Sequence, residues 1–324
     1  MVYEHLFIMD PLGSLNRPLD SSLRMLFALA ARGHGIRVCE PRHLAWNGGD
    51  LAAVACCRRL AFNGSAQEFS AGAEEALSLR TFAAIHMRKD PPYDMDYIAT
   101  TWLLESASSG GVRVYNSPAA LRQFNEKLSI LLFPAACQAA LASSDSEALM
   151  AFVENQAHGD AILKPLTLFG GRGVERLELQ RDGKALILAK LKAATAEGTS
   201  MRLIQPFNPA IYAGEVRVFT GFGQPLAWCL KRPAAGEFLA NTRAGATLEA
   251  YQPTATEVAR VSQVAAALHQ HGVFLAGFDL IGGYVSEINL TSPRLLQAAD
   301  DKVDYYAILA AQMESDISNL QGEP

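Results

Sequence analysis

Three side chains with oxygen atoms that suit a hard metal ion, Asp279, Glu287 and Asn289, lie close together near the C-terminal end of the sequence. Residues 273–280 are apolar enough for a strand and residues 284–290 alternate in polarity, which predicts a β-hairpin. Carboxylate and amide oxygens bind Mg²⁺, which also takes substrate phosphates as ligands. The set therefore favours a nucleotide-dependent enzyme, with solvated acids on a hairpin as the structural alternative.

The register of this hairpin decides whether the two acids face the same side. A two-residue turn at Gly282-Gly283 pairs Asp279 with Ser286, whereas a three-residue loop centred on Gly283 pairs Asp279 with Glu287. Convergence of the acids requires the second pairing. We therefore expect the longer loop or a β-bulge.

A glycine-rich stretch, 167-TLFGGRG-173, lies between two predicted strands. Gly170, Gly171 and Gly173 allow backbone N–H groups to turn toward a phosphate, and Lys164 on the preceding strand is a cation that an anion would stabilise. A Walker A motif would open a helix, so the pattern is different from that motif. A phosphate-binding loop is favoured over a plain hairpin turn.

The N-terminal stretch predicts a parallel sheet of the α/β type. A buried strand ends at Asp10, a loop follows, and Asp20 is a suitable N-cap for a helix that begins near Ser21 and leads to a second strand over residues 36–39. Such folds bind ligands at the carboxyl ends of their strands. Asp10 and Ser21 are therefore candidate substrate contacts, with turn formation and helix capping as the alternative.

A rigid loop, 88-RKDPPYD-94, follows a third predicted strand over residues 82–87. Its two prolines fix Arg88 and Asp90 at the strand end. Mixed charge there suits a zwitterionic or carboxylate ligand better than a structural turn, which is the alternative. Further along, the pattern predicts a helix over residues 117–133 that carries Lys127 among apolar neighbours.

Residues 203–233 predict three strands. The start of this stretch, Gln205, Pro206, Phe207 and Asn208, is typical of an interdomain hinge with exposed backbone. Further along come Glu215, Arg217 and, on a returning hairpin strand, Arg232. Two strand-borne arginines could clamp phosphoryl or carboxylate oxygens. Residues 234–250 are rich in Gly and Ala, and we expect them to form a mobile loop.

The composition is that of an ordinary globular protein. The chain has 324 residues, of which 50% are hydrophobic and 19% charged, so we expect two or three domains. No apolar run predicts a membrane span or a signal peptide, which makes the cytoplasm the expected location. Five cysteines without CxxC spacing indicate neither a disulfide framework nor a zinc site, and a net charge of −5 argues against a nucleic-acid surface.

The chain resembles the bacterial glutathione synthetase family of ATP-grasp ligases along most of its length. Seven ordered blocks carry the resemblance: 9-MDPLGSLNRPLDSSLRML-26, 87-MRKDPPYDMDYI-98, 125-NEKL-128, 163-LKPLTLFGGRGV-174, 214-GEVRV-218, 229-CLKR-232 and 277-GFDLIGGYVSEINLTSP-293. The resemblance implies an α/β (α+β) ATP-grasp fold. It has an N-terminal parallel-sheet substrate domain over residues 1–120 and two β-rich lobes, over 121–202 and 203–324, that hold the nucleotide.

The resemblance also implies a role for most of the candidate residues. ATP would be bound by Lys127, Lys164, the glycine loop, the hinge 205–208 and Glu215, with Mg²⁺ or Mn²⁺ on Asp279, Glu287 and Asn289. Arg217 and Arg232 would stabilise the transferring phosphate. The small-molecule carboxylate and amine substrates would meet Asp10, Ser21, Arg88, Asp90, Ser292 and Arg294. A homodimer or homotetramer is expected by family analogy.

Two departures from the family pattern concern the substrate. In 236-GEFLAN-241, Leu239 stands where the family has an arginine, and Arg243 is the nearest candidate to replace it. Arg294 follows Ser292-Pro293, where the family has a small or hydroxyl residue. The expected reaction joins γ-glutamylcysteine to glycine. The alternatives are a divergent ligase for another amino acid or small peptide, and an inactive or regulatory ATP-binding homologue.

Overall fold

The computed structural model describes residues 1–241, 245–320 and 322. Its strands form three sheets, of seven, four and five strands. Strands are numbered β1 to β16 and helices α1 to α7 in chain order. The helices are α1 (Ser21–Ala31), α2 (Met95–Ser108), α3 (Pro118–Gln123), α4 (Ser146–Asn155), α5 (Leu179–Ala194, interrupted at Gly183), α6 (Ala255–Gln270) and α7 (Tyr305–Leu320).

The first sheet has a parallel centre. Strand β1 pairs in parallel with β2 and β6, and β6 pairs in parallel with β7, which confirms the arrangement predicted from the strand, loop and helix at the N-terminus. The order is β3-β4-β2-β1-β6-β7, with β5 paired to β4. The strands are β1 (Glu4–Met9), β2 (Gly35–Cys39), β3 (Leu44–Ala45), β4 (Val54–Ser65), β5 (Glu68–Ser78), β6 (Ala84–Arg88) and β7 (Arg113–Tyr115).

The long antiparallel hairpin of β4 and β5 was not predicted. Most of β5 is exposed, and its sequence EFSAGAEEALS lacks the alternation of apolar and polar residues that marks a half-buried strand. The strand forms because its backbone pairs with β4 along nearly its whole length. Pairing of this kind leaves little trace in the polarity pattern.

The second sheet is antiparallel and has the order β10-β9-β11-β8. Helices α4 and α5 cover it through a core that includes Leu149, Phe152, Leu163, Ile187 and Leu191. The glycine-rich stretch connects β9 to β10, as predicted. The strands are β8 (Leu141–Ser143), β9 (Asp160–Pro165), β10 (Glu175–Glu178) and β11 (Arg202–Pro206).

The third sheet has the order β14-β13-β12-β15-β16 and packs against α6. Its strands are β12 (Glu215–Gly221), β13 (Gln224–Arg232), β14 (Thr247–Ala250), β15 (Leu275–Ile281) and β16 (Tyr284–Asn289). The expectation of one long loop over residues 234–250 is wrong at its end, because β14 pairs with β13 there. Arg243 lies outside the described residues.

The β15–β16 hairpin has the register on which the metal-site prediction depended. Ile281 pairs with Tyr284 across a two-residue turn, and a bulge between Asp279 and Leu280 then pairs Asp279 with Glu287. Ser286 is the extra residue, and its hydroxyl donates to the Asp279 carbonyl at 3.1 Å. The predicted β-bulge is therefore confirmed.

The predicted helix over residues 117–133 is shorter in the structure. Helix α3 ends at Gln123, and a separate 3₁₀ turn runs from Leu128 to Leu132. The break has a local cause, because Asn125 Oδ1 accepts hydrogen bonds from the backbone N–H groups of Lys127 (3.0 Å) and Leu128 (3.1 Å). Lys127 therefore lies between the two elements, not on a helix.

Helix α7 returns the chain to the first sheet. It packs against α1 through Leu309, Met313 and Ile317, all fully buried. Asp316 on α7 accepts a hydrogen bond from the Tyr115 hydroxyl at 2.8 Å and forms an ion pair with Arg113 at 2.7 Å. The C-terminal segment thus connects the third sheet to the first, and the segment just before α7 runs past the candidate site.

Candidate active site

A cavity of about 240 Å³ is lined by residues of the second and third sheets and by the loop after β6. It collects most of the residues predicted from the sequence. Those that line it are Lys127, Lys164, Gly170, Gly171, Gln205, Pro206, Phe207, Asn208, Glu215, Arg217, Asp279, Glu287, Asn289, Asp90, Ser292 and Arg294. Gly173, Arg232, Asp10, Ser21 and Arg88 lie outside its lining.

The predicted hinge forms an apolar part of the wall. The Phe207 ring lies 6.3 Å from the Phe238 ring, and the Arg176 guanidinium stacks 3.6 Å from the Phe207 centroid. The expectation of exposed backbone is wrong for the Phe207 N–H, because it donates to the Asp160 carbonyl at 2.9 Å. Asn208 uses its side chain to cap the following 3₁₀ turn. A flat apolar ring fits this wall better than a charged group does.

Two lysines face the centre of the cavity. Lys127 Nζ donates to the Leu168 carbonyl at 2.7 Å and lies 3.2 Å from Glu287 Oε1. Lys164 Nζ donates to the Ser286 carbonyl at 3.4 Å. Burial lowers the pKa of Lys164, and the charges of Glu287 and Glu215 oppose that shift. Both ammonium groups stand where an anion such as a phosphate would stabilise them.

The glycine loop has the backbone conformation that its sequence requires. Gly170, Gly171 and Gly173 have φ values of 65°, 77° and 69°, in the left-handed region that other residues rarely adopt. A Cβ on Gly173 would lie 3.2 Å from the Pro165 side chain, so this glycine turns the base of the loop and does not line the cavity. The two others present their backbone to the cavity.

The segment after β13 covers the tip of the glycine loop. Asn241 Nδ2 donates to the Gly170 carbonyl at 2.6 Å. A Cβ on Gly171 would lie 3.2 Å from the Leu239 side chain. Leu239, which departs from the family pattern, therefore packs on the loop instead of placing a charge there.

Asp279, Glu287 and Asn289 lie on one wall. Asp279 and Glu287 are direct partners across the hairpin, and Asn289 Nδ2 donates to Asp279 Oδ2 at 2.9 Å. Burial alone would raise the pKa of Asp279, but the charges of Arg217 and Lys231 hold it below its usual range. The described residues contain no group of three or more His, Cys, Asp or Glu that could hold a metal. The set on this wall is of a different kind, because two carboxylates and the amide of Asn289 together fit a hard divalent ion.

Arg217 extends over the same wall. Its Nε lies 3.0 Å from Asp279 Oδ1, yet the nitrogen is buried and has no aligned hydrogen-bond acceptor. The guanidinium occupies space that a side chain at residue 277 would take, because a Cβ on Gly277 would lie 2.5 Å from Arg217 Nη1. A buried guanidinium with unused donors suits an anion that binds in the cavity.

The expectation that Arg232 enters the cavity is wrong in this structure. Lys231 pairs with Glu215 across β12 and β13, so both side chains point to the cavity face and Arg232 points away. Arg232 instead forms two hydrogen bonds with Glu249, at 2.7 and 2.8 Å.

Lys231, for which the sequence indicated no role, contacts Glu215 and lies 2.7 Å from Asp279 Oδ1. Burial, followed by the charge of Asp279, raises the pKa of Glu215.

The candidate substrate residues divide into cavity and support positions. Asp90, Ser292 and Arg294 line the cavity. The support comes from Arg88, which is fully buried and donates to the Ser22 hydroxyl at 3.0 Å and the Pro293 carbonyl at 2.9 Å. These contacts fix the backbone on the N-terminal side of Arg294.

Asp10 and Ser21 also act from outside the cavity. Asp10 accepts from the Asp90 N–H at 2.9 Å and pairs with Lys89 at 2.8 Å. Ser21 Oγ accepts from the Leu295 N–H at 3.1 Å. Direct substrate contact was expected for both residues, but their hydrogen bonds go to the chain that carries Asp90 and Arg294.

Glu126 was missed although it adjoins Lys127. It lines the cavity, and its Oε1 accepts from the N–H groups of Leu290 and Thr291 at 2.8 and 2.9 Å and from the Thr291 hydroxyl at 2.8 Å. The 125-NEKL-128 block was the available signal. Glu126 ties the end of β16 to the chain that carries Lys127.

Two family profiles together match most of the chain. The prokaryotic glutathione synthetase N-terminal domain matches residues 3–122, and the prokaryotic glutathione synthetase ATP-grasp domain matches residues 126–303. The chain belongs to the prokaryotic glutathione synthetase family. The resemblance predicted from the seven blocks is therefore confirmed, and the chain is an ATP-dependent ligase of the ATP-grasp type.

Members of this glutathione synthetase family match nearly the whole chain. The glutathione synthetase of Pseudomonas syringae pv. tomato is 38% identical over 295 residues, which are 91% of this chain and 91% of the relative. That of Ralstonia nicotianae is 37% identical over 294 residues, covering 90% of this chain and 89% of the relative. The two relatives thus match about nine-tenths of this chain.

Solved structures confirm the predicted ATP-grasp fold. The D-cycloserine synthetase DcsG superposes with a TM-score of 0.66 at 16% identity, covering 97% of this chain and 99% of that one. The ATP-grasp ligase PsnB in complex with a minimal precursor gives a TM-score of 0.62 at 19% identity, with the same coverage. No helix in the described part of the chain is both long and apolar enough to cross a membrane.

Proposed function

We propose that this protein joins γ-glutamylcysteine to glycine in a reaction that uses ATP and Mg²⁺. The observation that carries the proposal is the meeting, in one cavity, of the Asp279–Glu287–Asn289 wall, two lysines, the glycine loop and Arg217. Phosphate-binding cations and hard oxygen ligands are the parts that phosphoryl transfer requires. The match to glutathione synthetases supports γ-glutamylcysteine and glycine as the substrates.

The proposed reaction has two steps. ATP first phosphorylates the donor carboxylate, which gives an acylphosphate and ADP, and the acceptor amine then displaces phosphate to form the amide. No side-chain nucleophile is needed, so positioning and charge stabilisation account for the rate. Asp279, Glu287 and Asn289 would hold a Mg²⁺ ion, and its charge would offset the negative charge of the phosphates.

Residues of the chain have separate tasks in this scheme. Phe207 and the apolar hinge wall would hold the adenine, and Lys127, Lys164 and the glycine loop would hold the phosphates. Arg217, with its unaligned Nε beside Asp279, would stabilise the negative charge of the transferring group. Asp90 and Ser292 would orient the substrates.

A second candidate is ligation of a different donor or acceptor. Arg294 lines the substrate part of the cavity, and its backbone is fixed by Arg88 and Ser21 on either side. A guanidinium there favours a substrate with an additional carboxylate. Leu239, which packs on the glycine loop, stands where the family has an arginine, so the covering segment lacks a positive charge at this position.

The release of ADP tests both candidates. We expect ADP formation in the presence of γ-glutamylcysteine, glycine and MgATP, little when either substrate is omitted, and a product with the mass of glutathione. An Asp279→Asn variant serves as the control that lacks a metal-binding carboxylate. ADP release only with another acceptor, such as aspartate or glutamate, would support the second candidate. ATP binding without turnover on any acceptor would contradict both.

Three further proposals rest on the family resemblance. We propose a division into residues 1–120, 121–202 and 203–324, supported by three sheets that follow this order, although β11 (Arg202–Pro206) of the second sheet extends past residue 202. We also propose a homodimer or homotetramer and a cytoplasmic location. Light scattering of the purified protein and fractionation of the source cells test the last two.

A further inference from the structure

Lys231 places a positive charge within the carboxylate cluster of the cavity. Its side chain is only 7% exposed, and its Nζ lies 2.7 Å from Asp279 Oδ1 and contacts Glu215 Oε1. Backbone pairing fixes the arrangement, because Lys231 is the register partner of Glu215 and Asp279 is the register partner of Arg217. An ammonium group therefore already balances two of the acids that line the cavity.

Asp279 is consequently engaged on both of its oxygen atoms. Oδ1 has Lys231 Nζ at 2.7 Å and Arg217 Nε at 3.0 Å, and Oδ2 accepts from Asn289 Nδ2 at 2.9 Å. A divalent ion that approaches this carboxylate alone meets two positive charges in a partly desolvated space, which opposes its binding. A nucleotide brings negative charge that offsets them.

We propose that Lys231 couples metal binding to nucleotide binding: its ammonium opposes entry of a divalent ion into the nucleotide-free cavity and attracts the phosphates of the nucleotide. The ion then enters together with the nucleotide. This inference rests on the proposed binding of ATP and Mg²⁺ in the cavity, and it adds to that proposal an order of binding and the residue that sets it.

The inference predicts opposite effects on the two ligands when the charge is removed. Lys231→Met keeps an unbranched side chain that is one atom shorter and removes its charge. Mn²⁺ alone should then bind about tenfold more tightly, and ADP in the presence of EDTA about tenfold more weakly, each equivalent to about 1.4 kcal/mol. A residue that only supports the fold would weaken both ligands when it is changed.

The experiment measures each ligand separately on the full-length protein. Electron paramagnetic resonance of free Mn²⁺ gives the metal affinity with and without ADP, and calorimetry gives the ADP affinity in EDTA. In the native protein ADP should tighten Mn²⁺ binding. This coupling should shrink in Lys231→Met, because the repulsion that ADP offsets is then gone. The effect of Mn²⁺ on ADP binding should shrink by the same factor, because coupling is reciprocal. Lys231→Arg should restore both affinities toward the native values. Arg232→Gln, which changes the neighbouring cation outside the cavity, should leave both unchanged.

Loss of the ammonium leaves Arg217 as the remaining cation beside Glu215 and Asp279, which weakens the fold through repulsion between the two acids. The double variant Lys231→Met with Glu215→Gln removes this repulsion. As in the single variant, we expect tighter Mn²⁺ binding and weaker ADP binding. Parallel weakening of Mn²⁺ and ADP, or no change in either, would overturn the role of Lys231. Failure of the native protein to bind ADP or Mn²⁺ at all would overturn the proposed nucleotide site as well.

Discussion

Gly277 leaves the space that the guanidinium of Arg217 occupies, so adding one methyl group at this position displaces the arginine. The new Cβ would lie 2.5 Å from Arg217 Nη1 and 3.3 Å from Pro293 Cβ, whereas ordinary contacts begin at 3.4 Å. The guanidinium must therefore retreat by roughly 0.9 Å, and a misplacement of about 1 Å costs on the order of 10² in rate. We expect Gly277→Ala to lower kcat by about this factor.

The assay is steady-state ADP release, accompanied by thermal unfolding to separate displacement from loss of fold. Gly49→Ala is the matched control, because nothing lies within 4 Å of its new Cβ, and it should behave like the native protein. In a background that already carries Arg217→Ala, the Gly277→Ala change should add little, since both act through the same group. A kcat within twofold of the native value, or a fully additive effect in that background, would refute the reasoning.

Two further predictions concern charge. Arg217→Ala should lower turnover by a factor of about 10²–10³, which is the scale for a lost oxyanion donor. Arg232→Gln should leave turnover nearly unchanged. Equal losses in steady-state assays would contradict the different placement of the two residues. Acid should destabilise the first sheet, because two buried histidines resist protonation. Burial, followed by the charge of His34, lowers the pKa of His5 to about 3. Burial, followed by the charge of His5, also lowers the pKa of His86. Below pH 6.5 the unfolded chain gains protons that the folded chain excludes, so at pH 5 the protonation of His5 should reduce the free energy of unfolding by about 2 kcal/mol, and that of His86 should reduce it further. Urea unfolding at pH 7.5, 6 and 5 measures this, and a constant free energy of unfolding would contradict it.

The sequence was most informative where local pattern and local chemistry agree. The alternation in β16 and the Gly282-Gly283 pair predicted the hairpin, and the requirement that Asp279 meet Glu287 predicted its bulge. The glycine loop was predicted from the same kind of short-range signal. In both cases the residues that set the geometry are neighbours in sequence.

The errors come from strand pairing and tertiary packing that the local polarity pattern does not record. Whether Lys231 or Arg232 faces the cavity depends on how β13 pairs with β12, and that register includes a bulge near Phe219 that no local pattern indicates. The hairpin of β4 and β5 owes its second strand to pairing more than to polarity. The positions of Ser21 and Arg88 likewise follow from tertiary contacts with Leu295 and Pro293, and that of Asp10 from contacts with Lys89 and Asp90.

In the proposed reaction, the cavity activates a carboxylate by phosphoryl transfer from ATP. The most direct test uses γ-glutamylcysteine labelled with ¹⁸O in the carboxylate that reacts, together with glycine and unlabelled ATP. Passage through an acylphosphate transfers one labelled oxygen to phosphate, so mass spectrometry should find one ¹⁸O in the released phosphate and one in the product amide. Formation of the amide with unlabelled phosphate, or with AMP instead of ADP, would contradict the account.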